Sequence, residues 1–131
     1  MDPYLDSEPE SYYRYLKALH FFLAAALRDH DVKDIDLATP IEDIMHKLEE
    51  YELPLKTKSR LFRYYEMIGS YARAEDVLFE MVEAEEPAGD EEIEQGIAFY
   101  QRLLKKSDAD LSAGNMSREE VEEGLAQLRA R

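Results

Sequence analysis

Five basic side chains lie close together in a chain that is otherwise strongly acidic. They are Lys56, Lys58, Arg60, Arg63 and Arg73, and Glu66 is the only acid between positions 56 and 73. Lys56, Arg60 and Arg63 are spaced by four and three residues, so on a helix they share one face. An arginine fork pairs a carboxylate or a phosphate through two parallel hydrogen bonds. The segment therefore predicts a surface for an acidic protein segment, with Tyr64 beside it as a flat apolar contact.

A simpler interpretation of these cations competes with the binding surface. Acidic residues precede the segment at Glu49, Glu50 and Glu52, so the cations could balance them in a solvated ion network. Exposed ion pairs of this kind contribute little, about 0–1 kcal/mol each. The sequence leaves both interpretations open.

The three histidines give little support for a zinc site. Glu42 and His46 lie one helical turn apart, and Glu49 and Glu50 follow closely. Zinc catalysis generally needs three protein ligands held together, and the H-E-x-x-H order is absent. We interpret His46 as a surface residue, and His20, within an apolar stretch, as a packed histidine with one hydrogen bond.

The stretch "DHDVKDID" concentrates four aspartates, at positions 29, 31, 34 and 36. A calcium loop needs a glycine at its sixth position and a glutamate at its twelfth. Counted from Asp29, these positions hold Asp34 and Pro40, so the pattern fails. The sequence predicts neither a metal nor a cofactor.

Signatures of catalysis are missing from the sequence. It has no cysteine, which excludes disulfides, zinc–thiolate sites and thiol catalysis. It also has no P-loop, no G-x-G-x-x-G and no G-x-S-x-G motif. Paired carboxylates are abundant only because the whole chain is acidic. We therefore expect a protein that is not an enzyme.

The elements that must position these residues are helices. Val, Ile and Thr are scarce, and helical periodicity runs through nearly every segment. The 131 residues fit one all-α domain, over positions 1–131, with no linker. About six helices are predicted, at about 8–28, 40–51, 55–68, 70–85, 90–105 and from 117 onward, with a short helical turn near 108–112.

Helix starts are predicted from the capping-box pattern, in which a hydroxyl and a carboxylate satisfy unpaired amides reciprocally. The pattern occurs at Ser7, at Thr39 followed by Pro40, and at Ser117. Gly96 and Gly124 fall inside predicted helices, where they would permit close contacts between helices.

The first helix is apolar on more than one side. Tyr13 and Phe21 extend its apolar surface beyond a single stripe, and "FFLAAAL" is continuously apolar. Such a helix must be covered on several sides. It could lie in the centre of the domain, or it could form a self-complementary homodimer contact.

The third and fourth helices must fold back on each other at Gly69. Gly69, Ser70 and Tyr71 leave too few residues for anything but a tight turn, so an antiparallel αα-hairpin is predicted. Leu61 and Tyr65 on one helix would face Ala74 and Leu78 on the other, where the small Ala74 permits a close crossing.

This hairpin resembles the tetratricopeptide repeat, with its best match over 55–87. Six residues fall at matching spacings, namely Leu61, Tyr65, Gly69, Tyr71, Ala74 and Leu78. The resemblance implies a short TPR-like right-handed stack of three αα-hairpins, in which the first helix of each hairpin lines a groove. It also implies that Lys56, Arg60 and Arg63 lie at or beside groove-facing positions. In co-chaperone members of that family, similar positions hold a partner's terminal carboxylate.

The segments "YARAEDVLFEM" and "FYQRLLKKSDADLSAGNMSREEVEEGL" also resemble a family of small bacterial proteins. That family has a TPR-like fold and no assigned function. The resemblance spans most of the carboxyl half and implies an architecture without an activity.

Net charge and hydropathy narrow the choice of partners. The net charge of −14 argues against nucleic acid and against an anionic membrane, because the field of the protein would repel both. No apolar run approaches the roughly 20 residues of a membrane helix, and the acidic amino end is unlike a signal peptide. A cytoplasmic protein is expected.

Three candidate functions are consistent with the sequence. The first is a helical adaptor that binds a protein segment, which could be acidic, through Lys56, Arg60, Arg63 and Tyr64. The second is a structural homo-oligomer formed through the first helix. The third is a helical domain that binds a small ligand between hairpins.

Overall fold

The computed structural model describes residues 3–28, 36–84 and 89–131, and the side chains of the first helix from Glu10 onward. The described residues form seven helices and no strand, so the protein is all-α, as the sequence predicts. The helices are α1 (Pro3–Arg28), α2 (Ala38–Leu48), α3 (Leu55–Met67), α4 (Tyr71–Glu83), α5 (Asp90–Leu104), α6 (Asp108–Ala113) and α7 (Arg118–Arg129).

The helices group into two compact units, Met1–Thr57 and Lys58–Arg131. The sequence predicts one domain without a linker, and the boundary between the two units falls inside α3.

Unit 1 is built on a hairpin of α1 and α2, which pack against each other. The ring of Tyr12 lies 4.9 Å from that of Tyr51, and Lys47 lies 5.8 Å above the ring of Tyr15. Tyr15, the later of the two α1 residues, thus pairs with Lys47, the earlier of their two partners, so α1 and α2 run antiparallel. Among the side chains of this unit that the structure describes, the buried apolar ones are Leu19, Leu23, Ala26, Ile41 and Leu48.

The α3–α4 hairpin of unit 2 turns at Gly69, as predicted. Gly69 has a φ of 80°, which glycine adopts without a steric penalty. The N–H of Ser70 donates to the carbonyl of Tyr65 at 2.8 Å, which closes the end of α3. Across the hairpin, Lys58 contacts Glu80 and Tyr65 contacts Arg73. Each pair is centred on position 69, so the helices run antiparallel.

The α5–α7 hairpin of unit 2 is antiparallel and very closely packed. A Cβ atom on Gly96 would lie 2.5 Å from a methyl carbon of Leu128, and one on Gly124 would lie 2.5 Å from the hydroxyl of Tyr100. Both positions therefore need the small residue that the sequence analysis assigned to close helix contacts. Between α5 and α7, the short α6 buries Leu111.

Helix α3 lies beside α5 and runs parallel to it. Phe62 packs edge-on against Phe99, with ring centroids 5.0 Å apart, and Glu66 pairs with Arg102. Phe62 precedes Glu66 on α3, and their partners Phe99 and Arg102 follow in the same order on α5 at nearly the same spacing. The two helices therefore run parallel. Helix α5 also packs on α4 and α7, so it has neighbours on three sides.

The two hairpins of unit 2 meet at their turns. The amide of Ala72, at the start of α4, donates to the carbonyl of Gly114 at 3.0 Å. Gly114 has no room for a side chain, since a Cβ atom there would lie 2.6 Å from the carbonyl oxygen of Gly69.

Two of the three predicted helix starts differ from the structure. Helix α1 begins at Pro3, so Ser7 lies inside the helix. Helix α2 begins at Ala38, and the carboxylate of Asp36 accepts from the amide of Thr39 at 3.2 Å. The aspartate before the helix takes the role that the sequence analysis gave to Thr39. At Ser117 the capping box forms as predicted, with both hydrogen bonds to Glu120 at 3.1 Å.

Among the helices that the structure describes, none combines the length and the apolar character that crossing a membrane requires.

Candidate functional site

The predicted cations on α3 divide into an outer and an inner set. Lys56 and Arg63 are exposed and Arg60 is partly exposed. They lie on the side of α3 opposite Leu61 and Tyr65, which are buried. We call Lys56, Arg60, Arg63 and the adjoining Met67 the basic face of α3. Met67 is 38% exposed and lies one turn after Arg63, so it adds an apolar group to the end of the face.

Tyr64 does not lie on the basic face. The side chain is only 2% exposed, because position 64 falls on the inner side of α3. The sequence predicts its ring at the surface beside the arginines, but the structure packs it inside the protein. Met67 is not among the predicted residues, although the spacing of four and three residues from Lys56 to Arg63 continues to it.

Lys58 is an inner cation. Its side chain is nearly buried and its ammonium lies 3.4 Å from a carboxylate oxygen of Glu80 on α4. The long aliphatic stem of lysine packs well in an apolar setting while its charged end reaches toward the surface. Lys58 therefore joins α3 to α4, and it is removed from the set that a partner could reach.

Arg73 packs against the hairpin itself. Its guanidinium lies 4.3 Å from the ring centroid of Tyr65, and its Nη2 donates to the Tyr65 hydroxyl at 2.9 Å. A guanidinium over an aromatic face is attracted by the ring's negative π surface. Arg73 thus holds the start of α4 against the end of α3.

Glu66, the only acid between positions 56 and 73, forms a bidentate ion pair with Arg102. The Nε of Arg102 donates to Oε2 of Glu66 at 2.7 Å, and its Nη2 donates to Oε1 at 2.8 Å. These hydrogen bonds raise the pKa of Arg102. The bidentate pair ties α3 to α5 and neutralises the carboxylate that would otherwise offset the cations of the basic face.

A cleft of unit 2 lies between α4 and α7. This cleft of about 240 Å³ is lined by Glu75, Phe79, Glu120, Glu123, Gly124 and Gln127. At its edge the Tyr100 hydroxyl donates to Glu75 at 2.6 Å. Burial raises the pKa of Glu75, although the Tyr100 hydrogen bond opposes the change, and burial also raises the pKa of Tyr100.

The residues considered for metal binding do not converge. His46 lies 3.4 Å from Glu49 at an exposed position, and His20 exchanges a 2.7 Å hydrogen bond with the buried Thr57. Within residues 3–28, 36–84 and 89–131, no group of three metal-ligating side chains is found. Asp29, Asp31 and Asp34 lie outside the described residues. The hydrogen bonds from the side chain and the amide of Thr39 lower the pKa of Asp36.

The fold and the surface together define an all-α protein of antiparallel helix hairpins that carries a small basic face on an acidic chain. The chain belongs to a family of unknown function, DUF6483, whose model matches residues 6–131. The expected resemblance to a family without an assigned function is confirmed to that extent. No curated protein and no solved structure matches the chain.

Proposed function

We propose that the protein is a non-enzymatic helical adaptor that binds an acidic protein segment along the basic face of α3. The observation that carries the proposal is that Lys56, Arg60 and Arg63 share one side of α3 that faces solvent. Glu66, the neighbouring acid, is engaged by Arg102. A positive surface of this kind attracts acidic segments and steers them toward the face.

The local charge also limits the size of the partner. The whole chain carries a net charge of −14, so an extended polyanion would meet repulsion outside the basic face. A short acidic segment can contact Lys56 and Arg63 without approaching the acidic surroundings. Met67, at the end of the face, suits a segment that has an apolar residue beside its carboxylates.

The resemblance to the tetratricopeptide repeat supports the same function. In that architecture the first helices of successive hairpins lie side by side and form the groove. Here α3 and α5 are first helices of successive hairpins and run parallel, joined by the Phe62–Phe99 and Glu66–Arg102 contacts. The basic face of α3 would then line the groove.

Fluorescence anisotropy with a labelled acidic peptide tests this proposal. We expect binding by the wild type that weakens as salt is added, because exposed charges are screened. Arg63→Glu should weaken binding at least about tenfold, which corresponds to about 1.4 kcal/mol. Arg129→Glu makes the same change of charge at an exposed position of α7 and is the matched control. Equal affinities for the two variants, or no binding by the wild type, would refute the proposal.

A structural homo-oligomer formed through α1 is the second candidate function. It is favoured by Tyr13 and Phe21, whose side chains are 65% and 70% exposed. The alternative, in which α1 is covered on all sides within the domain, does not fit the exposure of these two side chains. A small ligand between hairpins is the third candidate, and the acidic cleft between α4 and α7 is the place it would occupy.

A further inference from the structure

The solvent-facing side of α1 carries charged side chains of both signs together with two exposed aromatic rings. We call it the outer face of α1, and it consists of the exposed residues Glu10, Tyr13, Arg14, Lys17, Phe21, Ala24 and Arg28. It lies opposite Leu19 and Leu23, which are fully buried. Tyr13 and Phe21 are the most exposed large hydrophobic side chains in the part of the chain that the structure describes.

The residues of the outer face are arranged symmetrically about position 19. Glu10 and Arg28 are 18 residues apart, which is about five full helical turns, so they point in the same direction. Lys17 and Phe21 flank the midpoint at equal distances, and Arg14 and Ala24 flank it further out. The acid at one end of the face is therefore matched by a base at the other end.

We propose that two copies of the chain associate through the outer face of α1 as an antiparallel, two-fold symmetric helix pair centred on position 19. In this register, Glu10 meets Arg28 of the second copy. Lys17 meets Phe21 of the second copy, and Arg14 meets Ala24 of the second copy. Because the helix pair has two-fold symmetry, each of these contacts occurs twice in the dimer.

The chemistry of each contact is favourable. A glutamate and an arginine can form a bidentate, charge-assisted pair. A lysine ammonium over a phenylalanine ring gains a cation–π attraction and covers an exposed apolar surface. The small Ala24 leaves room for the stem of an arginine from the second copy. In the single chain, Glu10 has only an exposed contact with Arg14 at 3.6 Å, and such pairs contribute little.

Other registers of the same pair bring like charges together. A pair centred on Lys17 would place Tyr13 against Phe21 of the second copy, but it would also place Lys17 against itself. A pair centred on Phe21 would place Arg14 against Arg28 of the second copy. Repulsion between like charges therefore disfavours these two registers relative to the one centred on position 19.

The outer face fits a second copy better than it fits a polyanion. Unit 1 carries six Lys and Arg against 13 Asp and Glu, which gives a net charge of −7. A nucleic acid or an anionic membrane would meet that charge around the outer face, whereas the proposed contact is confined to the face itself. One helix face over about five turns gives an interface at the small end of the usual range, so a weak, reversible dimer is expected.

This inference rests on the second candidate function and is independent of the basic face of α3. Analytical ultracentrifugation from about 1 μM to about 500 μM measures the dimer. We expect the average mass to rise toward twice that of the monomer with increasing concentration. Phe21→Ala should weaken the dimer at least tenfold, and circular dichroism confirms that the variant keeps its helix content.

A charge exchange tests the register. Glu10→Arg and Arg28→Glu should each weaken the dimer at least tenfold, because each places like charges opposite one another. The double variant Glu10→Arg/Arg28→Glu restores the opposite charges and should recover the affinity of the wild type. Arg129→Glu, at the corresponding last turn of α7, is the matched control and should leave the dimer unchanged.

Cysteine cross-linking gives a second test of the register. The chain has no cysteine of its own, so introduced thiols are the only ones present. Under mild oxidation, Arg14→Cys/Ala24→Cys should form a covalent dimer efficiently, while each single variant should not.

The failures of the inference and of the candidate function can be distinguished. A wild type that stays monomeric at every concentration overturns both. A dimer that survives Phe21→Ala and both single charge changes also overturns both, since the contact would then lie outside the exposed side of α1. A double charge variant that stays as weak as the single ones overturns the proposed register.

Discussion

The two units of the molecule treat their aromatic side chains in opposite ways. Unit 2 buries six of them almost completely, namely Phe62, Tyr64, Tyr65, Tyr71, Phe99 and Tyr100. Unit 1 buries none of the aromatic side chains that the structure describes there, and it leaves Tyr13 and Phe21 largely exposed. Net charge does not explain the contrast, because unit 2, with ten Lys and Arg against 17 Asp and Glu, also carries −7.

The number of neighbouring helices explains it. Helix α5 packs against α3, α4 and α7, so an aromatic ring such as that of Phe99 has neighbours on every side. In unit 1 α1 packs on α2 and its His20 contacts Thr57 at the start of α3, which leaves Tyr13 and Phe21 on the far side of α1 exposed. Unit 2 therefore covers most of its own aromatic rings, whereas unit 1 leaves the rings of Tyr13 and Phe21 open to a partner.

The two exposed faces differ correspondingly. The basic face of α3 presents charges of one sign, which favours an acidic partner and disfavours pairing with the same face of a second copy. The outer face of α1 presents both signs around Phe21 and is complementary to itself.

The largest expected effect comes from removing one aromatic ring from each unit. Phe99→Ala should lower the free energy of unfolding by about 4 kcal/mol, because the ring is fully buried and its loss leaves a cavity. Phe21→Ala should change it by less than about 0.5 kcal/mol at low protein concentration, because the ring is exposed. Urea unfolding measures both values. Comparable losses of unfolding free energy in the two variants would show that the two units do not differ in how they bury aromatic rings.

A smaller effect is expected from the pair that supports the basic face. A double-mutant cycle with Glu66→Gln and Arg102→Met should give a coupling energy of about 1 kcal/mol, since the bidentate pair is only partly exposed to solvent. Added salt should reduce the coupling. A coupling energy near zero would mean that the pair does not hold α3 to α5, and that Glu66 is free to offset the cations.

The smallest expected effect comes from the free-energy cost of burying the ionised carboxylate of Glu75 in unit 2. The pKa of Glu75 in the folded protein is raised above 4.5, so its ionisation disfavours folding. The cost is absent below about pH 4.5 and appears as pH rises through the raised pKa. Glu75→Gln should therefore stabilise the protein near pH 7, by less than about 1 kcal/mol because the group is half-exposed and screened.

Urea unfolding from about pH 5 to about pH 8 checks this sign. The advantage of Glu75→Gln over the wild type should grow with pH and then level off. Glu123→Gln, which removes a carboxylate from an exposed position lining the same cleft, is the matched control. An advantage that shrinks as pH rises would contradict the assignment.

Local signals in the sequence predicted much of the fold. Gly69 marked the turn between α3 and α4, and Ser117 marked the start of α7. The four residues expected to face each other across the first of these turns are all buried, namely Leu61, Tyr65, Ala74 and Leu78. These features depend on residues close together in the chain, which sequence patterns record directly.

The candidate site was predicted less well, because it depends on how many helices surround α3. A single apolar stripe assumes one neighbour, but α3 contacts α4 through Lys58 and α5 through Phe62. The buried side of α3 is wider than one stripe: it takes in Tyr64 and Lys58 and leaves only Lys56, Arg60 and Arg63 of the cations on this helix outside. Periodicity within one helix does not record where a second neighbour lies.

The hydrogen bond from Ala72 to Gly114 offers a way to follow the assembly of unit 2. The α3–α4 hairpin joins residues that are near one another in the chain, and such local contacts form quickly. The bond from Ala72 joins the turns of two different hairpins, so it requires that these turns be in contact. Protection of the Ala72 amide from hydrogen exchange therefore reports that the two hairpins have docked.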